Sequence, residues 1–260
     1  MTGAFPVGEQ RQVLELSGQA GAWANALSTP RKLEIRTHQA KVVGSKQATA
    51  VAIVCHPHPL FGGSMDNKVV HTLCRAYRDL GIHAVRFNFR GVGQSEGEYG
   101  RGEGEQDDLA LVVDWVRGLE PDLPIYIAGF SFGACVAASY IIHQVAREYV
   151  EGSEQVLTHA EHIPVEHLIL VAPPVNHFDF DKLRLFPCPT VIIQGLDDEV
   201  VPADEVISWS KSVKVKPPEA DDKMVKTKPA QLLTLEQTSH FFHGKLSELK
   251  TSVATALNNI

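Results

Sequence analysis

The stretch "IYIAGFSFGACVA", Ile125 to Ala137, runs an apolar segment into Gly-Phe-Ser-Phe-Gly and then into small residues. A serine between two glycines, at the junction of a strand and a helix, is the arrangement that presents a hydroxyl as a nucleophile. A sharp turn there demands strained backbone angles, and flanking glycines keep other side chains clear. Ala134, Ala137 and Ala138 let the following helix pack close to the strand. Its first turn offers unpaired N–H groups and positive potential to a developing oxyanion. The chemistry that uses such a serine is acyl transfer, which also needs a base and an acid to orient the base. Both follow Ser131 in the chain. "VIIQGLDDEVVP" places the acids Asp197 and Asp198 just after a strand-like run. "LLTLEQTSHFFHG" places His240 and His243 after another. The order serine, acid, histidine, each after a strand, is the one such a sheet requires.

The elements that must carry these residues alternate. Strand-like runs are "AVAIVCH", "IHAVRFNF", "PIYIAG", "HLILVAP", "PTVIIQG" and "AQLLTLEQ". Helical runs are "NKVVHTLCRAYRDLG", "EQDDLALVVDWVRGLE", "ACVAASYIIHQVAREYV", "ADEVISWSKSV" and "KLSELKTSVATALNN". Continuously apolar strands between helices predict a parallel sheet covered on both faces. "QVLELSG" and "KLEIRTHQ" read as an antiparallel edge. Residues 1–260 form one domain on this reading, because nothing marks a second core. The polar stretch Lys211–Ala230 reads as a long mobile surface connection. Gln144–Pro164 is the other place where the chain carries extra length.

The bulk numbers exclude several functions. A formal net charge of −7 disfavours a nucleic-acid partner. No apolar run approaches a membrane span, and the first residues lack the pattern of a secretory leader. Four scattered cysteines without a C-x-x-C pair suit a reducing cytoplasm. His56 and His58 alternate with prolines and have no cysteine or carboxylate at ligand spacing, so no metal site is expected. "RGVGQSEG" has Gly-x-Gly after a strand, but lacks the third glycine that opens a helix in a dinucleotide site.

"HPHPLFGGSMDNKVV", "RFNFRGVGQSEGE", "AGFSFGA", "GLDDEVVP" and "SHFFHG" together resemble small bacterial esterase-like serine hydrolases of the α/β-hydrolase superfamily. The likeness lies near the dienelactone-hydrolase and serine-peptidase-like branches and runs from Ala50 to the C-terminus. It implies an α/β-hydrolase fold: a mostly parallel sheet of about eight strands, helices on both faces, and a minimal cap or none. It implies a serine hydrolase acting on a small-molecule ester, with thioester or peptide-like acyl substrates as the alternative and no cofactor. A degenerate hydrolase fold serving as a binding module is the non-enzyme alternative. The family pattern Gly-x-x-Asp-x-x-Val-Pro selects Asp198 over Asp197, and the paired aromatics select His240 over His243. In the "RGVG" loop, Arg90 is expected to anchor the turn. The oxyanion hole needs the N–H after the nucleophile, that of Phe132, and one from "HPHPLFGG", where many relatives carry His-Gly-Gly. Pro57 and Pro59 have no N–H. His58 is expected from its place at the strand end, with Leu60 as the alternative.

Overall fold

The computed structural model describes residues 4–16, 31–42, 44, 47–150, 165–216 and 227–258, the last residues of two helices (144–150 and 258) by backbone alone. In chain order its strands and helices are β1 (Glu9–Leu16), β2 (Arg31–His38), β3 (Val51–Cys55), α1 (Lys68–Asp79), β4 (His83–Phe87), α2 (Glu103–Leu119), β5 (Ile125–Phe130), α3 (Phe132–Val150), β6 (Val165–Val171), β7 (Leu185–Phe186), β8 (Thr190–Gly195), α4 (Ala203–Ser210), β9 (Lys214–Val215), β10 (Lys228–Pro229), β11 (Gln231–Leu235) and α5 (Leu246–Asn258).

Eight strands make the main sheet in the order β1-β2-β4-β3-β5-β6-β8-β11. From β4 to β11 all pairings are parallel, while β1–β2 and β2–β4 are antiparallel. The expected mostly parallel sheet with an antiparallel edge is what forms. Side-chain alternation splits each central strand between two cores. Val51, Ile53 and Cys55 of β3 join α2, α3 and α4 on one face. Ala50, Ala52 and Val54 join α1 and α5 on the other. Two-sided burial is why these strands read as unbroken apolar runs. Parallel strands also put all their following loops at one end of the sheet, and those loops carry His58, Arg90, Ser131, Asp198 and His240.

Local chemistry sets the helix starts. Asn67 caps α1 by accepting the Val69 N–H at 2.8 Å, and Glu103 and Glu105 sit in the first turn of α2, where the helix dipole favours them. Arg90 anchors its loop as expected: its guanidinium holds Asp108 of α2 at 2.9–3.1 Å.

Two features of the sequence reading need comment. Lys211–Ala230 is not simply a surface connection. β9 and β10, near its two ends, pair with each other, and β9 also pairs with β7, in a small three-stranded sheet, and residues 217–226 lie outside the described residues. Of Gln144–Pro164, the first part continues α3 and residues 151–164 lie outside the described residues. Between β6 and β8, where a cap would enter, the chain forms only turns, one short 3-10 turn at Phe180–Lys182 and β7. No helix among the described residues is long and apolar enough to cross a membrane.

Candidate active site

Ser131 occupies the turn between β5 and α3 with φ of +53°, a left-handed angle that non-glycine residues adopt at a cost. Its own N–H bonds Val171 O at 2.9 Å, and its carbonyl accepts Ala134 N at 2.8 Å. The turn is so tight that the glycines are steric necessities. A Cβ on Gly129 would lie 2.1 Å from Gly133 O, and one on Gly133 would lie 2.4 Å from Cys55 O. The G-x-S-x-G spacing therefore records the contact of α3 with β3 as much as the turn itself.

The loops after β8 and β11 meet in a similar way. A Cβ on Gly195 would fall 2.3 Å from Thr238 O, and Asp197 N donates to Thr238 O at 3.1 Å. This contact brings Asp198 and His240 together: Nδ1 of His240 lies 2.8 Å from Asp198 Oδ2. Nε2 lies 3.0 Å from Ser131 Oγ. Because a carboxylate only accepts, Nδ1 carries the proton and Nε2 accepts the serine hydroxyl, an assignment made from the network. His240 is 2% exposed, its ring packed against Phe130 and Phe241, both with centroids 5.1 Å away. Glu199 Oε2 accepts the His240 main-chain N–H at 3.0 Å.

Asp198 accepts four donors. Its Oδ1 receives the Val200 and Val201 amides at 2.9 and 2.7 Å. Its Oδ2 receives His240 and the Gln194 side-chain amide, the latter at 3.0 Å. Burial alone would raise this carboxyl. The bonds from His240 and the two main-chain amides outweigh it and hold the group below its usual value. Asp197 is exposed one residue earlier.

On the other side, Phe132 N–H heads α3 with no acceptor among the described residues, and the same holds for His58 N–H in the loop that follows β3. The Leu60 amide is already spent on His58 Nδ1 at 3.2 Å, which removes it as a free donor. The His58 ring packs against Phe61, Tyr99 and Phe132, with centroids 4.8–4.9 Å apart, and its Nε2 meets Tyr99 Oη at 3.1 Å. Gly63 completes this loop: a Cβ there would lie 2.1 Å from Pro57 O. His56 is fully buried. Its Nδ1 donates to Pro57 O and its Nε2 accepts Phe89 N–H, so neither nitrogen keeps a lone pair for a metal.

Sequence reasoning missed Gln194, Glu199 and Tyr99. Gln194 left one signal, a polar residue near the end of an otherwise apolar strand. The other two act through contacts that no local pattern announces.

A parallel sheet with one antiparallel flank, and a serine on a strained strand-to-helix turn beside a buried histidine, define an α/β serine hydrolase. Residues 47–177 match the family described as serine aminopeptidase, S33. The chain belongs to that family. An uncharacterized protein of Rickettsia prowazekii is 36% identical over 160 residues, which cover 60% of this chain and 60% of that protein. Lysophosphatidylserine lipase ABHD12 of Mus musculus is 27% identical over 150 residues, 50% of this chain and 37% of the lipase. The match thus spans less than two thirds of either relative. Two solved structures correspond along nearly their full length. An α/β serine hydrolase homologue from Coxiella burnetii is 33% identical with TM-score 0.74, covering 99% of this chain and 100% of its own. A serine hydrolase without a lid from Xanthomonas campestris is 34% identical with TM-score 0.73, covering 98% and 96%.

Proposed function

We propose that the protein cleaves carboxylic esters of small substrates through an acyl-enzyme. The observation that carries this reading is the bridging imidazole of His240, 3.0 Å from Ser131 Oγ and 2.8 Å from Asp198. Ser131 Oγ attacks the ester carbonyl carbon while its proton passes to His240 Nε2. The Phe132 and His58 amides hold the resulting oxyanion, and Asp198 holds the imidazolium that forms. Collapse expels the alcohol, which takes the proton from His240 and leaves the acyl group on Ser131. Water then attacks with His240 as base, and the carboxylic acid departs. None of these steps requires a cofactor.

The test is covalent. A fluorophosphonate should label Ser131, located by mass spectrometry, because only an activated serine reacts. Label on another residue of the folded protein, or none, would sink the reading. The family description raises peptides as a second acyl class, and matched ester, thioester and anilide substrates separate these. With no cap between β6 and β8, a long acyl chain would gain less than the ~0.8 kcal/mol per methylene of full burial. We therefore expect kcat/KM across p-nitrophenyl esters to peak at roughly two to six carbons, since binding energy not realised in the transition state does not raise turnover. A maximum at ten or more would contradict this.

A further inference from the structure

We infer that Gln194 is a positioning residue for the proposed acid: its side-chain amide donates to Oδ2 of Asp198, the same oxygen that receives His240 Nδ1–H, and so sets the carboxylate's orientation and its hold on the imidazolium. The inference rests on the serine-hydrolase reading above. Gln194 is wholly buried in β8. Its Nε2 lies 3.0 Å from Asp198 Oδ2, 3.1 Å from Gly195 O and 3.2 Å from Val201 O. Its Oε1 is buried with no partner among the described residues.

That asymmetry identifies what the residue is for. Three acceptors surround one end of the amide, so only the NH2 group can face them. Turning the amide over would set a carbonyl oxygen against a carboxylate and two carbonyls. A filler such as methionine would occupy the same space and leave no unpartnered oxygen. Packing alone does not call for glutamine, and a buried unpaired polar atom asks for an explanation. The carboxylate supplies one. An oxygen that shares its charge between two donors is fixed in direction and pulls less strongly on either. With the amide gone, Oδ2 has only the imidazole. It then holds the protonated ring harder, and its plane is fixed only by the two main-chain amides on Oδ1.

The charged and titratable groups near the pair are few. Glu199, from the Asp198 loop, is bonded to the His240 main chain. Exposed Asp197 and His243 lie on the two loops. From the β5 turn comes the Ser131 hydroxyl, and the facing end of β6 is apolar, Ile169 to Val171. None of these groups bonds the Asp198 carboxylate, so a change at Gln194 is read through Asp198 and His240.

The experiment compares Gln194→Met and Gln194→Glu in the full chain. It follows kcat and KM for p-nitrophenyl acetate, and the rate of fluorophosphonate labelling of Ser131, from pH 5 to 9. The methionine variant should lose about tenfold in plateau kcat with little change in KM, and its acid limb should move to higher pH. The glutamate variant should keep its limb within about half a pH unit of the unaltered protein, because a carboxyl set against Asp198 Oδ2 and two carbonyls keeps its proton and donates it to Oδ2 as the amide did. Thermal unfolding of both checks the fold, and a folded glutamate variant whose limb moves as far as that expected of methionine would overturn the role as well. A methionine variant with an unaltered plateau and limb, or a loss uniform across pH, would overturn the role of Gln194 while labelling of the unaltered protein stays intact. Failure of the unaltered protein to label would overturn the parent reading, and this one with it.

Discussion

Two buried carboxylates in this protein are built almost alike and end differently. Glu34 on β2 is fully buried. It receives Arg11 at 2.7 Å, the Asn88 side chain at 2.6 Å, and the Gln94 main-chain and side-chain amides at 3.0 and 3.3 Å. Asp198 is also surrounded by donors. Burial raises each group first, and hydrogen bonding outweighs it, so both sit below their usual values. The difference lies in one donor. Around Glu34 no donor carries a proton on to a nucleophile, and the cluster ties β2 to the "RGVG" loop. At Asp198 one donor is an imidazole whose second nitrogen reaches a strained serine. A satisfied buried carboxylate is thus a structural device, and a titratable donor with an open far end turns it into a chemical one.

The comparison breaks most sharply at its reactive end. Ser131→Ala should lower kcat by at least about 10⁴-fold with an unfolding midpoint near that of the unaltered protein. Retained turnover would mean that the chemistry lies elsewhere. Asp198→Asn should cost about 10³- to 10⁴-fold, because an amide favours the wrong imidazole tautomer. Asp197→Asn should cost less than about threefold, and a reversal of the two would reassign the acid. At the closed cluster the expectation inverts. Glu34→Ala should lose about 2–3 kcal/mol in urea unfolding, since the buried Asn88 side chain is left with an unpaired donor and the Arg11 and Gln94 bonds are lost. Its kcat/KM per folded molecule should stay within about twofold, and a large loss of turnover would show that the two clusters communicate.

The smallest effect is gradual. Burial holds His56 and His167 neutral, each pushed down to about 4 from 6.5. Below about 6.5 the unfolded chain takes up protons that the folded one refuses until about 4. Stability is therefore complete above this window and declines as pH falls through it. Midpoints measured from pH 8 to 4 check the sign. A midpoint that rises on acidification would contradict it.

How much was legible follows from the range of the signal. Ser131 was readable because its turn, its glycines and the small residues of α3 are consecutive. The acid and histidine were readable as an order along the chain. Glu34 illustrates the opposite. By alternation in "KLEIRTH" it belongs on the outer face of β2, yet the loop at Gly93–Ser95 covers it. A Cβ at Gly93 would stand 2.3 Å from its Oε2. Glu199 owes its contact to the meeting of two loops, its partner His240 lying 41 residues on, and Gln194 owes its bonds to a turn that folds Asp198 and Val201 back onto the end of β8. β9 and β10, two residues each, are too short for any periodicity to show.

The common direction of the strands has a practical consequence. Every loop with proposed chemistry opens at one end of the sheet, so the turn at Glu120–Pro124, leading into β5, lies at the other. Cys55, Cys74, Cys135 and Cys188 are all buried free thiols, and burial pushes the last three up to about 12 and Cys55 further still. A thiol-directed reagent finds little to attack in the native fold. Asp122→Cys would place one reactive handle on the exposed turn, so that the molecule could be fixed to a surface with its serine facing outward.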